Sequence, residues 1–156
     1  MSSTIVLKPG ELYVGSEFSE IKTLLGSCVA AVIWHPRRHI TGMCHIVHWG
    51  AGAANNFSYA GNAIKKLYHD TKTYHTHPSE FHVEVFGGGN MFPNIYKNKK
   101  NTVGSKNANM VIKLLTDYGF KVTHTDVGGT RARKISLFRE SGKVITVFIR
   151  ESEYES

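Results

Sequence analysis

Disulfide chemistry is the first thing this sequence has too little material for: its 156 residues include two cysteines, Cys28 and Cys44. That is short of the framework that staples small secreted domains, and it leaves both residues as free thiols. Long apolar runs are missing as well. The longest, Cys28 to Trp34, has seven residues, against roughly 20 for a membrane-spanning helix, so no insertion into a bilayer is expected. The opening MSSTIVLKPGELYVG has one early lysine and no signal-peptide core, which predicts mature cytoplasmic sequence with a turn at Pro9-Gly10. Acidic residues are in deficit, 12 against 19 lysines and arginines, for a net charge of +7. Such a surface steers any negative partner, nucleic acid or acidic protein alike. With no helix-turn-helix, zinc-finger or aromatic RNA-binding motif, nucleic acid is not the expected partner. Internal repeats, low-complexity tracts and linkers are absent too.

What remains is a chain of ordinary composition, 41% hydrophobic and 20% charged, long enough to bury a core of its own. A single domain over 1–156 is expected, with ESEYES at 151–156 as a frayed tail. Short β-branched segments crowd the first third: ELYV at 11–14, IKTLL at 21–25, VAAVIW at 29–34 and ITGMCHIV at 40–47. The turn-like HPRRH at 35–39 makes the last two neighbouring antiparallel strands, which sets Cys28 and His45 at strand ends able to face one another. A helix fits SYAGNAIKKLYHD, with Ala60, Ile64, Leu67 and Tyr68 on one face. TKTYHTHPSE then reads as loop and HVEVF as strand. A second helix fits SKNANMVIKLLTDYGF, capped by Ser105 and stopped at Gly119. After it come a strand running into Gly128-Gly129 and a hairpin turning at Ser141-Gly142. The pattern predicts an α/β domain with one mixed, largely antiparallel sheet packed against two main helices.

Several residues in this frame are able to do chemistry. Cys28, between Ser27 and an apolar run, is either a packed thiol or a nucleophile presented by the turn at Gly26-Ser27, whose amides would be free to bind an oxyanion. His45 lies across the proposed hairpin and can serve as the base such a thiol needs. Thr23, on the strand leading into Gly26, is a candidate to orient the imidazole. His45 with His48, His75 with His77, and Cys44 raise a metal site, but their spacing matches no zinc pattern, so no metal is expected. FGGGNMF at 86–92 lacks the Walker and Rossmann spacings. Gly87, Gly88 and Gly89 therefore form a structural turn or line a cleft. YKNKKN at 96–101 and TRARK at 130–134 read as solvated surface or as docking surface for an acidic partner.

Taken in order, TLLGSCVAAV, GMCHIV, FGGGNMF, VGSKNANMV and DVGGTRARKISLF resemble the CheD family of chemoreceptor glutamine deamidases. The resemblance implies a cysteine-hydrolase fold like the catalytic domain of cytotoxic necrotizing factor toxins. It implies hydrolysis of glutamine side chains to glutamate in methyl-accepting chemotaxis receptors, with release of ammonia and no metal or organic cofactor. It places the nucleophile on Cys28, the base on His45 and the assisting threonine on Thr23. It also permits a CheC-type phosphatase as a partner or a non-catalytic adaptor role, and receptor methyl-ester hydrolysis is a chemical rival, because a thiolate that attacks an amide can attack an ester. Two departures stand out. His48 and Trp49 follow the histidine where the family runs apolar residues into a proline, and Cys44 sits next to the base as a possible rival thiol.

Overall fold

The computed structural model describes residues 3–91 and 102–150, so the YKNKKN segment and the ESEYES tail lie outside the described residues. Nine strands and two helices follow one another as β1 (Thr4–Leu7), β2 (Leu12–Gly15), β3 (Glu20–Leu25), β4 (Val29–Trp34), β5 (Thr41–Ile46), α1 (Ala60–Lys72), β6 (His82–Gly87), α2 (Val103–Asp117), β7 (Val122–Val127), β8 (Arg133–Phe138) and β9 (Val144–Phe148). The mixed α/β arrangement with two main helices is as expected, and most strand pairs are antiparallel. The strands, however, divide between two sheets rather than forming one, in the orders β1-β3-β8-β9 and β2-β5-β4-β6-β7. β1 has no counterpart in the sequence reading, because a four-residue strand leaves too little alternation to register. It pairs in parallel with β3.

The sheets stack through a layer of Leu7, Ile21, Leu25, Ala30, Val32, Met43, Phe86, Ile135 and Leu137, drawn from both. The five-stranded sheet turns its other face to the helices, where Val29, Ala31, Ile33, Cys44 and Ile46 meet Ala63, Ile64 and Leu67 of α1 and Val111 and Leu115 of α2. This explains the unbroken VAAVIW run. β4 lies between sheet and helices and has no solvent face, so it reads as continuous hydrophobicity rather than alternation. β3 does alternate, with Ile21, Thr23 and Leu25 inward and Lys22 and Leu24 outward, as expected of a strand with one wet face.

Both helices follow their apolar spacing with shifted ends. α1 buries Ala60, Ala63, Ile64, Leu67 and Thr71 and runs on to Lys72, past the stop expected near Asp70. α2 begins three residues earlier than expected because Thr102, not Ser105, is its cap: the Thr102 hydroxyl accepts the Ser105 amide at 3.1 Å. The extra turn brings Gly104 against the glycine loop. A Cβ built on Gly104 would stand 2.3 Å from the carbonyl carbon and oxygen of Gly88, so two backbones touch where a side chain has no room. Gly104→Ala is expected to lower stability by about 1–3 kcal/mol through overpacking, measured as a fall in thermal midpoint. A midpoint equal to wild type would show that the approach is not tight. The stretch expected to be loop contains a short 3-10 turn, Pro78–Glu80, capped by His77.

Candidate active site

β3 belongs to one sheet and β4 to the other, so Gly26, Ser27 and Cys28 form the corner where the chain changes sheets. Cys28 is half-buried at that corner and packs on the layer between the sheets. The register sets Ala30 opposite His45. Facing residues on paired strands share a side, and Cys28 lies two residues before Ala30, so the thiol is a diagonal neighbour of the imidazole, with Cα atoms about 7–8 Å apart in regular geometry. His45 therefore points into the space between the sheets. Cys44 precedes it on the same strand and must point the other way, into the helix-facing core. It is fully buried there, and burial pushes its thiol up to about 12. Cys44 is thus no rival to Cys28.

Thr23 reaches His45 from the opposite sheet. Its Oγ1 lies 2.7 Å from Nδ1, with both residues buried at 3% and 2% exposure. The Thr23 hydroxyl also donates to the Leu7 carbonyl, its ladder partner on β1, at 2.8 Å. A hydroxyl has one proton. Having given it to Leu7, Thr23 can only accept from the imidazole, so the proton of neutral His45 is on Nδ1. Nε2 then carries a bare lone pair, and it is buried with no hydrogen-bond partner among the described residues. Burial lowers the His45 pKa to about 4 and raises that of Cys28 above the usual thiol range. At neutral pH the pair is a thiol beside a neutral base, not a preformed ion pair.

The glycines fasten the corner. Gly87 and Gly88 adopt positive φ, +95° and +81°, a region open mainly to glycine. A Cβ on Gly87 would meet the Cys28 carbonyl oxygen at 2.4 Å. The Gly88 amide donates to the Cys28 carbonyl at 2.9 Å and the Gly89 amide to the Gly26 carbonyl at 3.1 Å. Those two amides are spent on the Cys28 loop, so Gly88 and Gly89 hold it through their main chains. Ser27 and Cys28 are different: among the described residues neither amide donates to another protein group.

Two further residues brace the loop, and neither stood out in the sequence. Asn107, fully buried in the first turns of α2, donates from Nδ2 to the Ser27 carbonyl at 3.3 Å and the Val47 carbonyl at 2.9 Å. Arg133, expected on a solvated face within TRARK, is 1% exposed. Its guanidinium bonds the Asp126 carbonyl and carboxylate and the Gly128 carbonyl, shaping the turn whose Gly129 carbonyl accepts the Asn90 amide. Their signals were present, as an asparagine on the apolar face of a helix and an arginine in a strand beside paired glycines.

The remaining histidines do not join this group. His77 caps the 3-10 turn, and His75 sits at positive φ in the preceding loop. His48 stacks on Trp49 with ring centroids 4.2 Å apart, and the Lys106 ammonium lies 5.2 Å from the centre of the Trp49 ring. No cluster of three or more His, Cys, Asp or Glu side chains able to hold a metal occurs among the described residues. No helix among them is long and apolar enough to cross a membrane.

Comparison with known proteins meets this geometry from outside. Residues 47–147 match the family model described as CheD chemotactic sensory transduction, a span that opens just past His45. The similarity of whole chains reaches further. A protein of Pseudomonas fluorescens (strain SBW25), named "Probable chemoreceptor glutamine deamidase CheD", is 33% identical over 92% of this chain and 83% of its own. A counterpart in Dechloromonas aromatica (strain RCB), "Probable chemoreceptor glutamine deamidase CheD 3", is 31% identical over 97% and 91%. Among solved structures, the Bacillus licheniformis hypothetical protein YfiH aligns with a TM-score of 0.47 and 12% identity, over 71% of this chain and 47% of that one. With the family model spanning most of the chain and relatives of nearly full length at about a third identity, this chain belongs to the CheD family.

Proposed function

We propose that this protein hydrolyses glutamine side chains of methyl-accepting chemoreceptors to glutamate, releasing ammonia, with Cys28 as nucleophile, His45 as base and Thr23 as the residue that sets the imidazole tautomer. The family relatives named for that activity support it. The observation that carries the residue roles is the hydroxyl of Thr23: its proton goes to Leu7, so it accepts the Nδ1 proton and leaves Nε2 with a bare lone pair on the strand beside that of the half-buried thiol.

The chemistry follows from these protonation states. His45 Nε2 takes the Cys28 proton as sulfur attacks the glutamine carboxamide carbon. The carbonyl oxygen becomes an oxyanion held by the Ser27 and Cys28 amides. As the tetrahedral centre collapses, the carbon–nitrogen bond breaks and the imidazolium gives its proton to the departing nitrogen, which leaves as ammonia. A water, deprotonated by His45 Nε2, then attacks the thioester carbon. The carbon–sulfur bond breaks, the thiolate recovers a proton, and glutamate is released. A neutral starting pair has a consequence: the thiolate forms with the attack rather than waiting as an ion pair.

The +7 charge suits acidic receptor segments, a reading that puts the protein in the cytoplasm. A thiolate that attacks an amide also attacks a methyl ester, and mass spectrometry of a receptor cytoplasmic fragment separates the two. Deamidation adds the mass difference between amide and acid, whereas ester hydrolysis removes a methyl group. An unchanged fragment after incubation with the protein would defeat both readings.

Thr23→Val keeps shape and burial but removes the acceptor for Nδ1–H. It is expected to lower kcat roughly tenfold to a hundredfold, with KM little changed, as the imidazole loses its fixed tautomer and orientation. A kcat equal to wild type would remove Thr23 from the scheme.

A further inference from the structure

Three carbonyls in succession at the sheet-changing corner are held from behind: Gly26 by the Gly89 amide, Ser27 by Asn107 Nδ2 and Cys28 by the Gly88 amide. In a trans peptide the carbonyl of one residue and the N–H of the next point in opposite directions, and no cis peptide is present among the described residues. Holding the Gly26 carbonyl therefore turns the Ser27 N–H away from Gly89, and holding the Ser27 carbonyl turns the Cys28 N–H away from Asn107. These are the two amides that donate to no other described residue. Gly89 acts through its main chain, but Asn107 acts through a side chain and is open to mutation.

The contacts of Asn107 are unusual for packing. Both neighbours of its amide are carbonyl oxygens, one on Ser27 and one on Val47, so the nitrogen must face them. Continued one step, the β4/β5 register would set Cys28 opposite Val47. The side chain thus bridges the ends of the two strands that carry thiol and imidazole. Its Oδ1 is buried with no partner among the described residues, a cost that an apolar residue would avoid. The helix is seated by the contact of Gly104 with Gly88, so Asn107 and the glycine loop hold the corner as one unit.

Building on the deamidase reading, we propose that Asn107 is a positioning residue for the oxyanion site: by holding the Ser27 carbonyl it aims the Cys28 amide at the oxygen that becomes negative. It touches no reacting atom. Its effect is felt only in a step that develops an oxyanion, and this separates it from a residue that merely keeps Cys28 in place. Alkylation of Cys28 by iodoacetamide is displacement at a saturated carbon and needs the sulfur but no oxyanion site.

The test compares wild type, Asn107→Leu and Cys28→Ala for ammonia release from a glutamine-bearing receptor cytoplasmic fragment, and wild type and Asn107→Leu for the iodoacetamide rate. Asn107→Leu is expected to lower kcat about a hundredfold, the effect of removing one oxyanion donor, with KM and the alkylation rate within about twofold of wild type. A kcat close to wild type, or an alkylation rate falling in step with kcat, would overturn the proposal. Ammonia release by Cys28→Ala would instead overturn the deamidase reading beneath it. Asn107→Asp, of nearly the same volume, supplies a second readout should the leucine variant not fold. As a carboxylate it repels both carbonyls, but when protonated it can donate to Ser27. Its activity relative to wild type is expected to rise as pH is lowered from 8 to 5. A flat ratio would count against the role.

Discussion

Cys28→Ala is expected to abolish ammonia release from a receptor fragment while leaving the thermal midpoint within a few degrees of wild type. Loss on this scale follows from the kind of catalysis, because a covalent route has no bypass once its nucleophile is gone, and residual turnover in comparable hydrolases falls by several orders of magnitude. The fold should tolerate the change. Cys28 is half-buried at the margin of the layer between the sheets rather than within it, so losing one sulfur opens little cavity. Cys44→Ala provides the contrast: it empties a fully buried position on the helix face and should lower stability while sparing activity. Substantial activity in Cys28→Ala, or its loss in Cys44→Ala without unfolding, would exchange the two thiols and defeat the scheme.

The second large effect concerns His45 and pH. Burial holds this histidine at about 4 against an ordinary 6.5. Between those values the unfolded chain binds a proton that the folded chain refuses, so stability falls as pH drops through that window and levels off below it. A displacement of that size corresponds to about 3 kcal/mol, a sizeable share of the 5–15 kcal/mol typical of a domain. His45→Gln removes the titrating group, and denaturant unfolding at pH 7 and pH 4.5 should show a clearly smaller loss than in wild type. The same variant should lose about 10²–10⁴-fold in kcat, the usual worth of a general base. An identical pH dependence of stability in the two proteins would mean that His45 is not held neutral by the fold.

These expectations rest on residues that differed in how plainly they announced themselves. Cys28 and His45 were legible as a pair, since a turn at 35–39 between two apolar strands puts their ends together whatever else the chain does. The opposite directions of Cys44 and His45 were legible too, because adjacent residues on a strand cannot share a face. Thr23 was legible as a candidate to orient the imidazole, but only from its place on the strand leading into Gly26 and from the resemblance. Its partner on β3's other side, the Leu7 carbonyl, belongs to a strand too short to be seen in advance. Asn107 and Arg133 left only a trace of their burial, a polar residue on an apolar face and an arginine beside paired glycines, because hydrogen bonding to a distant carbonyl names no partner in the sequence.

By itself, then, the sequence determined the chemistry available: a free thiol beyond a glycine turn, a histidine on the neighbouring strand, two amphipathic helices, and a basic surface without a disulfide or a membrane-length run. Local preferences and strand alternation are short-range, and they suffice for those statements. Tertiary structure alone decided that the strands form two sheets, that the chain passes from one to the other at Gly26 to Cys28, and that a threonine from one sheet meets a histidine from the other. It also decided which amides are spent holding the loop and which donate to no described residue. Those outcomes depend on where buried polar groups find partners across layers, and that pairing joins residues 16, 22 and 80 positions apart.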